Sequence, residues 1–212
     1  MRAMTAEAFL TQLNSISADK RAAFSQTVLK LSKLAAAEAT RSMIEDSDFG
    51  VKISALKAIR RFELDIYEKQ LIALLLDDEP EVRVAAFKSL CSFGKAEHFK
   101  LARAFYDENA DLRPIIIDSF VNFSDQYEAH SFIFHHLDSS NEKIRARAID
   151  WFEKAFDREI FLPWIEQIYE ESAWSLRLAF EDIFARRLKA LFSSARYGYR
   201  FKLVWLAKRI AE

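Results

Sequence analysis

Five segments of this chain repeat one pattern of apolar positions at nearly constant spacing, and that periodicity leaves few architectures open. The segments begin at Val51, Val82, Leu112, Ile144 and Leu176, so successive starts lie 31, 30, 32 and 32 residues apart. In each, the first, fifth, eighth and ninth positions are apolar or small, which is one stripe of a 3.6-residue helix. Each segment is therefore read as an amphipathic helix. A repeat of this length marks an array whose units bury their apolar faces only against one another.

Polar residues punctuate the same period. The second position of every segment is basic, namely Lys52, Arg83, Arg113, Arg145 and Arg177. Five residues before each start stand Asp46, Asp77, Asp107, Ser139 and Glu171. Acids near a helix N-terminus satisfy free backbone N–H groups and oppose the positive dipole end, contributing about 0.3–1 kcal/mol each. Asp48, Asn109, Asn141 and Ser172 are candidate caps, and Pro80 suits a first helical turn. Between these helices the pattern predicts others over 35–45, 66–77, 97–106, 127–137 and 160–170. Only 3 Gly and 3 Pro occur, too few for the turns of a β-rich or phosphate-loop protein.

The stretch from Asp77 to Leu90, with Val82, Arg83 and Ala86 inside it, resembles the second helix of HEAT repeats and of bacterial HEAT-like proteins. The likeness covers roughly residues 35 to 187, with departures at Pro114, Trp151 and Phe180. It implies an all-α fold, a right-handed α-α superhelix, or solenoid, of about five HEAT-like helix pairs with N- and C-terminal capping helices. On that reading residues 1–212 form a single repeat domain. It divides into a cap pair at 6–33, repeats at 35–62, 66–93, 97–123, 127–155 and 160–187, and a basic cap at 188–212.

The chemistry of catalysis is sparse. The four histidines are His98, His130, His135 and His136, and none of their spacings is the three or four residues that would put two ligands on one helical face. Gly50, Gly94 and Gly198 stand alone, so no phosphate-cradling loop is present. Cys91 has no local signature of a nucleophile, and as the single cysteine it fits a reducing compartment. The acidic clusters Asp77-Asp78-Glu79 and Glu170-Glu171 fall at turns, where capping and pairing with the following Arg account for them. The expectation is a chain without catalytic residues, metal or cofactor, and a cytoplasmic one. The longest apolar run, Leu71 to Leu76, is too short to cross a bilayer.

A binding surface is the remaining candidate. At 100° per residue the third, sixth, seventh and tenth positions of each second helix fall on its outer flank, which in HEAT-like solenoids lines the concave face. The third column gives Ile53, Val84 and Pro114, the sixth gives Leu56, Phe87 and Ile117, and the tenth adds Cys91 and Val121. A contiguous apolar patch there would mark an interaction site. The other reading of the sixth column is burial against the next repeat. The seventh column changes sign, from Lys57 and Lys88 to Asp118, Asp150 and Asp182, and would orient a protein or peptide partner.

The C-terminus carries Arg186, Arg187, Lys189, Arg196, Arg200, Lys202, Lys208 and Arg209 against Glu212, interleaved with aromatics. It reads either as a patch for an anionic partner or as a solvated seal on the last repeat. The leading expectation is a non-catalytic scaffold or adaptor. By resemblance, two rivals are HEAT-like DNA glycosylases, invited by Trp151 beside Asp150 and Arg147, and tetrapyrrole (bilin) lyases. A net charge of −1 counts against a surface that must neutralise several phosphates. The sequence leaves the oligomeric state open.

Overall fold

The computed structural model describes residues 4–123 and 127–157, and beyond them residues 167, 169, 170, 175–178, 180, 181, 204 and 208. Among these residues every regular element is helical. Chain packing separates two compact units, 1–105 and 106–212, with the boundary between Phe105 and Tyr106.

The first unit is built from α1 (Ala6–Ser15), α2 (Ala18–Ser25), α3 (Lys33–Met43), α4 (Phe49–Phe62), α5 (Glu68–Leu74), α6 (Pro80–Cys91) and the start of α7 (Ala96–Glu108). A 3-10 turn, Gln26–Lys30, extends α2, and another, Asp65–Tyr67, leads into α5. Side-chain caps set several starts: Thr5 accepts from the Ala8 N–H, Ser32 from Ala35, and Asp48 from both Gly50 and Val51. Each satisfies a backbone donor that the helix itself leaves free. Pro80 stands in the first turn of α6, as expected, where its missing N–H costs nothing. At its other end α4 stops on Glu63 in the left-handed region, φ 52°, while the Leu64 N–H reaches back to the Ile59 carbonyl.

The second helices form a layer of their own. α4 packs against α2 with its 3-10 extension on one side and α6 on the other, and against its own partner α3. Val51, Ala55, Leu56 and Ile59 of α4 are fully buried, as are Val82, Ala86, Phe87 and Leu90 of α6. Buried serines tie the layer together: Ser25 donates to Ser54 at 2.7 Å, and Ser89 donates to the Leu56 carbonyl at 2.8 Å. Gly50 is required at the α2–α4 crossing, because a Cβ there would lie 2.6 Å from the Ala22 Cβ.

The second unit continues the helix pairs with the remainder of α7, α8 (Arg113–Ile116), α9 (Tyr127–Phe134) and α10 (Glu142–Asp157). α8 lasts one turn before tightening into a 3-10 stretch, Ile117–Phe123. Pro114 and the β-branched run Ile115, Ile116 and Ile117 weaken the α-helix the repeat pattern predicts over these positions. Its core is aromatic. Phe120 and Phe132 lie 4.4 Å apart by ring centroids, Tyr106 meets both edge-on, and Phe134, Phe152 and Phe180 form a second group.

The basic column has a structural role that the sequence only half reveals. Lys52 pairs with Asp77 at 2.8 Å, as Arg21 does with Asp46 at 2.6 Å, each joining one pair to the turn of the next. The arginines instead donate to backbone carbonyls of the turn before their own helix. Arg83 reaches Asp77 and Asp78, Arg113 reaches Tyr106 and Asp107, Arg145 reaches Ser139, and Arg177 reaches Glu170. A guanidinium, with several N–H donors, suits backbone carbonyls at or just beyond the C-terminal end of a helix.

Candidate functional site

The expected surface divides when its residues are placed. Phe87 and Cys91 are 0% exposed and Ile117 is 1% exposed, so they cannot meet a partner. This corrects the reading of those three as surface anchors. α4 is flanked by α2 and α6, α6 packs on α4 and α5 and stacks Phe87 on Phe105, and the stretch holding Ile117 packs on α10, so the apolar arcs are wider than a single stripe. Burial also pushes the Cys91 thiol well above its ordinary value, which removes it as a nucleophile at neutral pH.

The other candidates remain accessible. Ile53, Val84, Pro114 and Asp150 are half-buried, Lys57, Asp118 and Val121 are exposed, and Lys88 is half-buried. Lys57, Val84 and Lys88 come together with Arg60, Glu81, Ala85 and Ser89 around a cleft of about 200 Å³ between α4 and α6. Ile53 shares the outer stripe of α4 with Lys57, one turn away. A second cleft, of about 610 Å³, lies on the other side of α4 and is lined by Thr27, Leu29, Lys30, Leu31, Arg61 and Phe62, among others. Sequence columns missed Lys30, Arg60 and Arg61. The adjacent Arg60-Arg61 pair at the end of α4 was the available signal.

In the second unit, Asp118 faces Arg147 at 3.4 Å with both side chains about half exposed, so part of the acidic column is internally balanced. Of the C-terminal patch only Lys208 is described, as an exposed helical residue. Arg186, Arg187, Arg196, Arg200, Lys202 and Arg209 lie outside the described residues, as does Asp182.

His130 and Trp151 serve packing, and two further histidines turn to the backbone of α9. His135 and His136 turn Nδ1 toward the carbonyls of Ser131 and Phe132, at 2.6 and 2.8 Å. His130 is fully buried and meets Trp151 edge-on at 4.9 Å. Trp151 itself is 6% exposed, which withdraws it from any role beside a flipped base.

One polar cluster was not foreseen. Glu68, Glu97 and His98 bring ligand-capable atoms within 4.8 Å of one another. The buried His98 Nε2 stands 3.0 Å from Glu68 Oε1, close enough for an ion pair, although the ring N–H is not aligned for a hydrogen bond. Lys95 holds the other Glu68 oxygen, and its hydrogen bond, followed by His98, keeps the Glu68 carboxyl below its usual range. With the charge of Glu68 already balanced, the group fastens the start of α7 to the start of α5. Twenty-nine positions separate Glu68 from Glu97, which is why spacing along the chain could not show it.

No helix among the described residues is long and apolar enough to cross a membrane. No curated protein matches the chain. The family model for the HEAT repeat matches residues 69–96, which span α5, α6 and the turn into α7. HEAT repeats commonly mediate protein–protein interaction. That match, over one of the chain's helix pairs, supports reading the chain as similar to HEAT-like repeat proteins.

Proposed function

We propose that the chain is a non-catalytic scaffold or adaptor that holds a partner protein or peptide on the layer of second helices. The observation that carries this reading is the juxtaposition of Val84 with Lys57 and Lys88 around an open cleft, with half-buried Ile53 beside it. Apolar side chains left at a water-filled cleft supply affinity when covered, and flanking charges set orientation. The family's common use in protein interaction supports the same reading. With Phe87, Cys91 and Ile117 in the core, the partner surface reduces in the first unit to Ile53, Lys57, Val84 and Lys88. Pro114, Asp118, Val121 and Asp150 belong to the second unit and stay within the proposal.

The test is affinity capture from the source cells followed by mass spectrometry. Ile53→Asp with Val84→Asp should lose the proteins that the wild type captures, while still unfolding in one cooperative far-UV circular dichroism melt. An unchanged list of captured proteins would overturn the reading.

A further inference from the structure

We infer that the second-helix layer of the first unit is built for an acidic, amphipathic peptide segment of the partner. This rests on the scaffold reading and adds the chemistry of what is held.

Both clefts beside α4 have cationic rims over apolar floors. Lys57, Arg60 and Lys88 surround Val84 and Ala85 in one, while Lys30 and Arg61 flank Leu29 and Phe62 in the other. Glu81, in the first cleft, is the one acid among the residues lining the two. Residues 1–105 hold 16 Lys and Arg against 14 Asp and Glu, so this is segregation of charge onto one layer rather than a general excess.

The cations that join repeats are committed elsewhere: Arg21 to Asp46, Lys52 to Asp77, Lys95 to Glu68. Lys30, Lys57, Arg60 and Arg61 make no ion pair among the described residues and are exposed. Placement of Arg60 and Arg61 in the last turn of α4 offsets the helix dipole. That dipole amounts to only about half a charge, so most of two full charges remains.

Lys57 and Arg60, one turn apart on α4, with Lys88 across the cleft and a floor of Val and Ala, match a peptide that alternates carboxylates with apolar side chains. Nucleic acid fits less well. A near-neutral unit gives little counterion release, and the floors are largely aliphatic rather than stacking platforms.

The experiment is fluorescence anisotropy with the full chain and three labelled probes: a short synthetic peptide of Glu and Leu, its Lys and Leu counterpart in the same order, and single-stranded DNA of similar length. The Glu and Leu peptide should bind most tightly and weaken as salt rises. Lys57→Glu with Arg60→Glu should weaken it about tenfold or more, while Lys33→Glu with Lys69→Glu, exposed on α3 and α5, should leave it unchanged. Unaltered thermal melts would show that both variants fold.

Equal or absent binding of the two peptides, no effect of reversing Lys57 and Arg60, or preference for DNA would overturn the inference. If the inference fails and the Ile53→Asp, Val84→Asp variant still loses captured proteins, the scaffold stands and only the partner's charge is wrong. Loss of neither would remove both.

Discussion

The Lys52 ammonium lies 2.8 Å from the Asp77 carboxylate, tying the second helix of one pair to the turn of the next. Burial alone would raise the Asp77 carboxyl, but hydrogen bonds from Lys52 and from the Glu79 N–H outweigh it and hold the group below its usual range. A lowered folded value means that this stabilisation is complete above the ordinary carboxylate range and is lost as pH falls through the folded value. Asp77→Asn should therefore flatten the acid side of a stability–pH profile, read by urea unfolding between neutral pH and about pH 2. A double-mutant cycle with Lys52→Met should give a coupling of about 0.5–1 kcal/mol at neutral pH. Wild type and Asp77→Asn losing stability in parallel on acidification would contradict the assignment.

At the α2–α4 crossing, Gly50→Ala sets a methyl 2.6 Å from the Ala22 Cβ, and neither atom can swing away. The helices must separate, at a cost of about 1–3 kcal/mol, partly offset by the better helix propensity of Ala. Adding Ala22→Gly should restore most of the lost urea midpoint. No recovery would place the defect elsewhere.

Glu63 closes α4 with φ 52°, a conformation that a side chain makes costly and glycine does not. Glu63→Gly is expected to stabilise the chain by about 0.5–1 kcal/mol, measured as a raised unfolding midpoint. A lower midpoint would show that the Glu63 side chain makes a contact worth more than the strain.

Phe87→Asp and Val84→Asp separate core from surface within one helix. Phe87 stacks on Phe105 at 4.9 Å and is wholly buried, so a carboxylate there should cost more than about 4 kcal/mol and unfold the unit. At half-buried Val84 the same change should cost about 1 kcal/mol or less and act on partner capture. Similar melting temperatures for the two variants would reverse the assignment of the exposed face.

Periodicity made the helix pairs legible where boundaries carry their own chemistry: Asp48 and Asn141 cap as the sequence suggests, and Pro80 opens α6. The third pair was less legible, since Pro114 and its β-branched neighbours shorten α8 within an unbroken apolar pattern. Of the residues read as a binding face, Phe87, Cys91 and Ile117 belong to the core. Leu56 and Phe87 sit at the edge of one helical stripe, and only side-by-side packing of second helices decides that such an edge is interior. Lys30 and Arg61 escaped because they converge on one cleft from different pairs and no column collects them, whereas Arg60 stands as a cation in the tenth column, ahead of Cys91 and Val121.

The depth of Cys91 also makes the chain convenient to instrument. Its lone thiol is sealed in the core and stays protonated at neutral pH, where maleimides react with thiolates. A cysteine introduced at Lys57 or Arg60 would then be the one that takes a fluorophore, and dye reporters could be set beside the clefts without first removing the native sulfur.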